Sequence, residues 1–453
     1  MTRIACLLTV LLIACTGGQR ALAQVPARAS YAFIHANVVP MNDEQLLTDQ
    51  TVLVEGGIIV AVGPAAETFV PDGAIQIDDS GRFLLPGLAE MHGHLPSGTE
   101  TEDMLFLYLA GGATTVRGMQ GHPAQLEIRQ RVRSGELLGP RLWLAAPALS
   151  GQSAPDVSTA EERVRRAHEA GYDLLKIHEG LSQEVYERIV QLASELGLPW
   201  GGHVPQDVGV YGALAAGQST IDHMDDYLEA LQSRRSPAFD AQGAERRRLM
   251  AVHADRSGID DLAEATFDAG VAIVPTQVLW ETLGGARDPI ELAAHPENRY
   301  MPRQTVRSWQ REANSIYTST SRIAAIREAE IRQELLQALN EAGVTILMGT
   351  DAPQLYSVPG FSLHRELEKM VEAGMTPFEV LQTGTVNVAR HLDQTDTAGT
   401  IEAGKNADLL LLAANPLTDI RAVAQIAGVM IDGRWLPQDV IAARLIDIAR
   451  RQQ

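Results

Sequence analysis

Two histidines separated by one glycine are the first candidates for chemistry in this sequence. His92 and His94 close the stretch 87–94, and Pro96 follows them. In a β-strand alternate side chains leave opposite faces, so the two imidazoles would lie side by side on one face. Neutral imidazole binds first-row divalent metals, and this pair would supply half of a coordination shell. Because such a pair also arises by chance on surface strands, a metal site requires further ligands.

Four more polar side chains stand at or near the ends of other predicted strands. They are Lys176, His203, His223 and Asp351. A lone histidine is more often a hydrogen-bonded packing residue than a ligand, and an aspartate before Ala-Pro is more often part of a turn. Their coincidence on four separate strands favours a shared metal site over these readings.

Strand-like and helix-like segments alternate between residues 86 and 392, which is typical of βα units and a parallel sheet. Eight such units predict an α/β fold, a (β/α)8 TIM barrel with its active site at the carboxyl ends of the strands. Two irregular stretches, 225–258 and 277–315, are expected to form lids, substrate walls or surface elaboration. The predicted strands are 87–94, 113–119, 141–146, 173–178, 199–203, 219–223, 271–276 and 345–351, and the predicted helices are 160–170, 182–196, 262–269, 322–342 and 363–373.

Both ends of the chain have short apolar runs separated by turn residues. Residues 31–85 contain several such runs, two of them joined through Gly56-Gly57, which predicts a hairpin. A similar pattern returns at 399–435, so we expect both ends to build one small β-sandwich domain around the barrel. The expected division is a signal peptide at 1–23, sandwich parts at 24–85 and 393–436, the barrel at 86–392 and a C-terminal helix at 437–453.

Composition limits the class of partner. The chain has 57 acidic and 37 basic residues, a formal charge of -20 spread along its length. Nucleic acid binding calls for a clustered basic surface, so the expected partner is a small-molecule substrate and not nucleic acid. No apolar run is long enough for a transmembrane segment. The sequence leaves open whether the chain forms a homo-oligomer.

The first 23 residues have the pattern of a secretory signal: Arg3, an apolar run at 4–14 and Ala21-Leu22-Ala23 before Gln24. We therefore expect an exported protein, periplasmic or secreted. The stretch 12–15 also matches a lipoprotein box, and the alternative is a membrane-anchored lipoprotein with a lipid anchor at Cys15. Both cysteines lie in this leader, which excludes an internal disulfide and a cysteine-ligated metal in the mature fold.

Several motifs together resemble the amidohydrolase superfamily, in its imidazolonepropionase-like and dipeptidase-like branch. The resemblance covers nearly all of the mature chain and implies a barrel with a composite β-sandwich. The motifs are His92-Gly93-His94, the residues 113–117, the strand with Lys176, His203, His223, Gly349-Thr350-Asp351 and the segment 404–409.

The resemblance also implies a binuclear metal site. In relatives the strand-four lysine is carbamylated and bridges two divalent metal ions together with a hydroxide. A carbamate suits this role, since an ammonium group would repel both cations. If Lys176 is unmodified, a one-metal site is the alternative. Zinc is the first choice for a thiol-free site rich in histidine, with manganese, cobalt or nickel compatible with the same ligands. The implied ligands are His92, His94 and Asp351 for one metal, His203 and His223 for the other, and Lys176 for both.

The implied activity is metal-dependent hydrolysis of a C–N bond in a small molecule, such as a dipeptide or an N-acyl amino acid. A metal-activated hydroxide would attack the carbonyl, and Asp351 would act as general base and then general acid. A lactonase or phosphotriesterase using the same site on an ester is the alternative within enzymes. A non-catalytic periplasmic binding protein is the alternative outside enzymes, although every expected ligand position is filled.

Four further residues are candidates for substrate contact. His178 lies two residues after Lys176 and so on the same face of the strand. Arg117 could pair with a substrate carboxylate, or form a structural ion pair in the barrel wall. His122 and His364 follow predicted strands two and eight, on the loops of the active face.

Overall fold

The computed structural model describes residues 29–98 and 100–452. The expected signal peptide and the alternative lipid anchor at Cys15 lie outside the described residues. Within 29–98 and 100–452, no helix has the length and apolarity needed to cross a bilayer.

Fifteen strands and sixteen α-helices are present in the described residues. The strands are β1 (Tyr31–Val38), β2 (Leu47–Glu55), β3 (Ile58–Pro64), β4 (Ile75–Asp78), β5 (Phe83–Pro86), β6 (Leu88–Gly93), β7 (Ala113–Gly118), β8 (Arg141–Leu144), β9 (Leu175–Ile177), β10 (Trp200–Gly202), β11 (Thr220–Asp222), β12 (Ala272–Val274), β13 (Leu409–Leu412), β14 (Ile426–Ile431) and β15 (Arg434–Pro437). The helices are α1 (Thr101–Ala110), α2 (Pro123–Arg133), α3 (Val157–Ala170), α4 (Gln183–Leu196), α5 (Gly209–Ala216), α6 (Tyr227–Ala230), α7 (Gly243–His253), α8 (Ile259–Asp268), α9 (Gln277–Leu283), α10 (Pro289–Ala293), α11 (Arg303–Ser319), α12 (Arg322–Glu341), α13 (Phe361–Glu372), α14 (Pro377–Thr383), α15 (Val386–His391) and α16 (Gln438–Arg451).

Strands from both ends of the chain pair in one eight-stranded sheet. Its order is β15-β14-β13-β5-β1-β2-β3, and β4 pairs with β1 beside β5. The two ends meet where β13 pairs antiparallel with β5, with Leu84 opposite Leu411. Strands from both ends of the chain therefore share one sheet, while the β-sandwich stays a prediction. The Phe33 and Trp435 rings, one from each end, pack edge to face at 5.2 Å.

The predicted hairpin forms through Gly56-Gly57. Glu55 pairs with Ile58 across the turn, and the two glycines have φ values of +57° and +85°. Both values lie in the left-handed region, where glycine has no Cβ penalty. A Cβ at Gly57 would also lie 3.0 Å from the backbone nitrogen of Gly433, whereas a Cβ at Gly56 would meet no atom within 4 Å.

Alanine substitutions in this hairpin should therefore differ in cost. We expect Gly56→Ala to lower the free energy of unfolding by about 1 kcal/mol, the left-handed penalty alone. Gly57→Ala should cost clearly more, because its methyl group would also press on the β14–β15 turn. Urea unfolding of the two variants beside the parent measures the difference. Equal losses would show that the turn at Gly433 moves away without cost.

The central strands are parallel and form two sheets, β6-β7-β8 and β9-β10-β11-β12. Two isolated parallel bridges, Ala145 with Leu174 and Leu149 with Ile177, link the two sheets. The eighth predicted strand, 345–351, is not a strand. It makes one bridge to β12, between Ile346 and Ile273, and two backbone hydrogen bonds to β6, from the Met91 amide to the Met348 carbonyl at 2.8 Å and from the Asp351 amide to the His92 carbonyl at 2.7 Å.

The eighth segment ends in a left-handed turn. Asp351 has a φ of +58°, outside the β region. The chain turns there, and the Asp351 amide bonds to the His92 carbonyl at 2.7 Å. The segment thus delivers Asp351 directly beside the end of β6.

The five predicted helices are present as α3, α4, α8, α12 and α13. Their ends follow ordinary capping chemistry, as α3 and α4 show. The side chain of Asp156 accepts from the Thr159 amide at 2.8 Å, and α3 ends at Gly171 in the left-handed conformation. The side chain of Ser182 caps α4 in the same way, and Gly197 ends it.

The two stretches predicted to be irregular contain several helices. Residues 225–258 hold α6 and α7, and residues 277–315 hold α9, α10 and most of α11. Short 3₁₀ helices at Pro237–Asp240, Arg256–Gly258 and Pro296–Tyr300 interrupt them. The prediction of irregular structure was wrong here. Helices α6, α7, α9 and α10 have only four to eleven residues and leave little periodicity to detect, whereas α11, with 17 residues, was missed despite its length.

Candidate metal centre

The predicted ligands come together at the carboxyl ends of the central strands. His92 lies on β6 and Lys176 on β9, while His203 and His223 directly follow β10 and β11. Asp351 enters from the segment after Ile346. His223 lines a cavity of about 890 Å³, together with His178 and residues of α6, α7, α9 and α12.

Asp351 lies at the centre of the group. Its Oδ1 is 2.8 Å from His94 Nε2 and 3.5 Å from His92 Nε2, and its Oδ2 is 3.7 Å from His223 Nε2. Ligand atoms of His92, His223 and Asp351 all lie within 4.8 Å of one another. Nitrogen and oxygen ligands about 2.1 Å from one metal ion would be roughly 3–4 Å apart. The spacing therefore fits a shared divalent cation.

The crowding of ligand atoms supports this fit. Asp351 Oδ1 is buried, and His94 Nε2 and His92 Nε2 lie 2.8 and 3.5 Å from it without a well-directed hydrogen bond. A buried carboxylate oxygen in such a position is stabilised by pairing with the imidazoles or by coordinating a metal. The donor set of imidazoles and carboxylate also suits zinc and neighbouring first-row metals.

The protonation states match those that metal ligands need. Burial lowers the pKa of His92 to about 4 and also lowers the pKa of His223, so both imidazoles are neutral near pH 7. Burial alone would raise the pKa of Asp351, but His92, His94 and His223 lower it below its ordinary value. The site presents neutral nitrogen donors and an ionised carboxylate.

Lys176 lies against the same group. Its Nζ is 3.5 Å from His92 Nε2 and 3.9 Å from Asp222 Oδ2, and the side chain is buried. Burial lowers the pKa of Lys176, and the nearby carboxylates of Asp222 and Asp351 offset only part of this effect. A lysine with a lowered pKa has more of the neutral amine that a carbamylation reaction requires.

His203 is partly accessible, with 17% of its side chain exposed. Its ring centroid lies 4.7 Å from that of His223 and 4.3 Å from that of His178. Asp225 Oδ2 approaches His203 Nδ1 at 2.6 Å, which leaves Nε2 available as a ligand atom.

Three residues that the sequence did not reveal orient the histidines. Each contacts the Nδ1 atom of one ring, so that Nε2 faces the centre, an arrangement common around metal-bound histidine. Asp222 and Asp225 flank His223 in the sequence, and this proximity to a predicted ligand was the only available signal. The contacts are Asp222 to His92 at 2.8 Å, Asp225 to His203 at 2.6 Å and Thr276 to His223 at 2.8 Å.

Asp222 also contacts Arg117, which the sequence analysis considered for substrate binding. Arg117 is buried, and it donates to the Met91 carbonyl at 2.6 Å, to Thr220 Oγ1 at 3.2 Å and to Asp222 at 3.2 Å. Burial alone would raise the pKa of Asp222, but Arg117 and His92 hold it well below its usual value. Arg117 thus has the structural role given as its alternative, behind the ligands and away from the cavity.

Glu90, a fourth residue that the sequence did not reveal, joins β6 to the Asp351 segment. Its carboxylate accepts from the Thr350 amide at 2.8 Å, from Thr350 Oγ1 at 2.6 Å and from the His92 amide at 3.0 Å. Burial raises the pKa of Glu90 to about 8. Glu90 is two residues before His92, on the same strand face, and this alternation could have indicated it.

The three remaining candidates for substrate contact, His178, His122 and His364, lie in different parts of the structure. His178 lines the cavity, and its Nδ1 accepts from the Glu179 amide at 2.8 Å. His122 is exposed and caps α2, where its Nδ1 accepts from the Ala124 amide. His364 Nε2 lies 2.9 Å from the Gly111 carbonyl and borders a separate cavity of about 660 Å³. Only His178 of these three borders the cavity beside the ligands.

Comparison with known proteins decides the family. The model of the amidohydrolase family matches residues 83–436, more than three quarters of the chain. The chain belongs to the amidohydrolase family. It lies in the imidazolonepropionase-like and dipeptidase-like branch, and it is a hydrolase of carbon–nitrogen bonds that uses divalent metal.

Individual relatives of this amidohydrolase are distant. An imidazolonepropionase of Rhizobium rhizogenes is 24% identical over 397 residues, which cover 84% of this chain and 90% of that protein. Among solved structures, a bottromycin amidohydrolase superposes with a TM-score of 0.71 at 23% identity, covering 94% of this chain and 91% of the other. A putative prolidase from Bifidobacterium longum has a TM-score of 0.66 at 25% identity, covering 93% and 99%.

Proposed function

We propose that this amidohydrolase is an exported enzyme that hydrolyses an amide bond of a small molecule, such as a dipeptide or an N-acyl amino acid. The observation that carries the proposal is the buried Asp351 carboxylate with the imidazoles of His92, His94 and His223 around it, where His223 also borders a cavity of about 890 Å³. Such a cavity accommodates a small molecule and not a folded protein.

The proposed architecture is a closed (β/α)8 barrel over residues 86–392, with a β-sandwich formed by 24–85 and 393–436 and a C-terminal helix over 437–453. The isolated parallel bridges of Ala145 with Leu174 and of Ile346 with Ile273 support closure of the barrel, because they connect neighbouring strand segments that no ladder joins. This arrangement puts the ligands at the carboxyl ends of the strands, the usual position of barrel active sites.

The proposed metal site holds two divalent ions, with zinc as first choice. Six residues would bind them, and their side chains already lie in contact around Asp351 and His223. The proposed carbamate on Lys176 would lie between the ions, next to His92 Nε2. When bound, divalent metal supplies an acidified water and polarises the scissile carbonyl. The ligand residues are His92, His94, Lys176, His203, His223 and Asp351.

Proton transfer is assigned to Asp351. Its carboxylate is ionised and faces the space between the histidines, so it can take the proton of an attacking water. The same carboxyl group then returns the proton to the leaving nitrogen, which departs as an amine. His178, at the cavity wall, is available to contact the substrate near this centre.

The prolidase relative supports a peptide-like substrate, since prolidase is the activity in that protein's name. The name of the imidazolonepropionase relative refers to an imidazolone, a ring that contains an amide, which widens the range to small cyclic amides. Both agree with hydrolysis at nitrogen, whereas neither name refers to an ester.

Metal analysis tests the site. We expect purified protein loaded with zinc and bicarbonate to hold two metal ions per chain, and protein loaded without bicarbonate to hold fewer. Lys176→Met should lose the bicarbonate effect, because its side chain cannot form a carbamate. Lys369→Met is the matched control, since Lys369 pairs with Glu281 and Glu372 away from the centre. Mass spectrometry under native conditions reads both the metal ions and the carbamate.

A substrate screen of the loaded protein completes the test. Dipeptides and N-acyl amino acids should be cleaved, while lactones and phosphotriesters should not. Turnover of the esters alone would favour the lactonase or phosphotriesterase alternative. A folded sample with metal near zero and no turnover would instead favour the binding-protein alternative.

A further inference from the structure

One wall of the cavity beside the metal ligands carries three arginines. Arg246 and Arg247 belong to α7, and Arg332 belongs to α12. Trp280 of α9 lies between this wall and the ligands, with its ring centroid 6.1 Å from that of His223. With Arg117 bound to Asp222 behind the ligands, these three arginines are the cations that border the cavity in the part of the chain that the structure describes.

Two of the three arginines are committed to the protein itself. Arg332 donates to the His223 carbonyl at 2.8 Å, the Pro275 carbonyl at 3.0 Å and Gln277 Oε1 at 2.8 Å. All its nitrogens are used, and it fixes the ends of the strands that lead to the ligands. Arg246 donates to the Ala238 carbonyl at 3.3 Å and contacts Glu229 at 3.5 Å.

Arg247 keeps donors free. Its Nη1 donates to the Leu283 carbonyl, and its Nε is 3.9 Å from Glu328 Oε2, beyond hydrogen-bond distance. Within residues 29–98 and 100–452 no hydrogen bond engages its Nη2. The side chain is 32% exposed, whereas that of Glu328 is 7% exposed with one oxygen unpaired. The guanidinium is therefore held in place but not saturated.

The surroundings of Arg247 favour an anion. Its Cζ lies 5.6 Å from the Trp280 ring centroid, and Arg332 Cζ lies 5.0 Å from the same ring. The two arginines and Glu328 together carry one net positive charge. The Trp280 ring contacts both Arg247 and His223, and all three residues border the cavity, so a group held by Arg247 lies in the same cavity as the ligand His223.

We propose that Arg247 binds the carboxylate of the substrate's leaving amino acid and thereby sets specificity for substrates with a free carboxylate next to the scissile amide. This inference rests on the proposed function. Guanidinium and carboxylate match in geometry, and two parallel hydrogen bonds would orient the amide over the ligands. Several acids also line the cavity, and three of them have other partners: Asp226 accepts from the Val210 amide at 2.9 Å, Glu229 contacts Arg246 at 3.5 Å and Asp225 contacts His203 at 2.6 Å. Glu328 lies 3.9 Å from Arg247 Nε, beyond hydrogen-bond distance.

The test uses substrates that differ only in this carboxylate. The probes are N-benzoyl-L-phenylalanine and glycyl-L-phenylalanine, each beside its C-terminal carboxamide, with release of phenylalanine or phenylalaninamide as the readout. The zinc-loaded parent should prefer the acids. Arg247→Met should lower kcat/KM for the acids roughly 10- to 100-fold, the usual effect of losing a charged hydrogen bond, mainly through KM. Its activity on the carboxamides and its metal content should stay unchanged.

Two further variants separate contact from structure. Arg247→Lys keeps the positive charge but lacks the planar pair of N–H donors of the guanidinium, so it should retain part of the preference for acids over carboxamides. Arg248→Met is the matched control on the same helix, because Arg248 pairs with Glu245 at 2.7 and 2.8 Å and does not border the cavity. Equal losses on acids and carboxamides in Arg247→Met, or no loss at all, would overturn the inference while leaving the proposed function intact.

Absence of turnover on all probes would count against the proposed function for this substrate class. The role of Arg247 as carboxylate anchor would then be tested by the binding of the same compounds. Calorimetry of the same acids and carboxamides with the zinc-loaded protein should show tighter binding of the acids in the parent only. Equal affinity in parent and Arg247→Met would reject Arg247 as the carboxylate anchor.

Discussion

Asp351→Asn is expected to lower kcat by roughly 10²- to 10⁴-fold, the range for loss of a general base. The amide cannot accept the proton of the attacking water, yet its carbonyl oxygen can still occupy the place of Oδ1 beside His94 and His92. Much of the metal should therefore remain bound. Steady-state kinetics on a cleaved substrate, combined with metal analysis of the same sample, measures both quantities.

Asp447→Asn is a suitable control for this variant, since Asp447 lies on the surface of α16 and contacts only the exposed Arg450. It should leave both kcat and metal content at the parent values. A near-normal kcat in Asp351→Asn would refute the role of Asp351 as base. Loss of all metal in that variant would show that its carboxylate charge is needed for binding, and kcat would then not report on proton transfer.

Asp222→Asn should have the largest effect on stability. The carboxylate is completely buried between Arg117 and His92, with Lys176 close by. Removing one partner of a buried pair leaves an uncompensated charge and typically costs about 3–5 kcal/mol. The variant should also bind metal about 10- to 100-fold more weakly, because His92 loses the group that orients its ring. Chemical denaturation and metal titration give the two values.

The matched control is Asp49→Asn, which alters an aspartate beside an exposed histidine, His35, at 2.7 Å. This surface pair should contribute little, and the unfolding midpoint should not change. If Asp222→Asn unfolded at the same denaturant concentration as the parent, Asp222 would be replaceable and the charge balance described for the site would be incorrect.

The cluster of proposed ligands could be predicted from the sequence because strand geometry imposes simple rules. Alternation puts His92 and His94 on one face, and the carboxyl ends of parallel strands bring His203 and His223 to one edge. The residues that orient them could not be found in this way. Thr276, just after β12, contacts His223, just after the neighbouring strand β11. Asp222 on β11 contacts His92 on β6. These pairs depend on tertiary packing, which no local sequence pattern records.

The fold shows the same division. Long amphipathic helices such as α4 and α12 have enough turns for their periodicity to be read, and both are where the sequence indicates. The segment 345–351 reads as a strand from its apolar residues, but the chain here forms only isolated bridges, Ile346 with Ile273 and, just beyond the segment, Ala352 with Gly93. The arginine wall was not foreseen either, because α7 and α9 are short and their contacts join distant parts of the chain.

The pairing of β13 with β5 has a consequence for biosynthesis. Only Gly87 separates β5 from β6, the strand that carries His92. β13 is translated after all the elements that hold the other ligands. Until it emerges, the edge of β5 that it covers has no partner in the finished sheet, and a contact between such distant segments forms slowly. The sheet beside β6 is therefore complete only near the end of translation. This order favours insertion of metal into a finished chain over insertion into a nascent one.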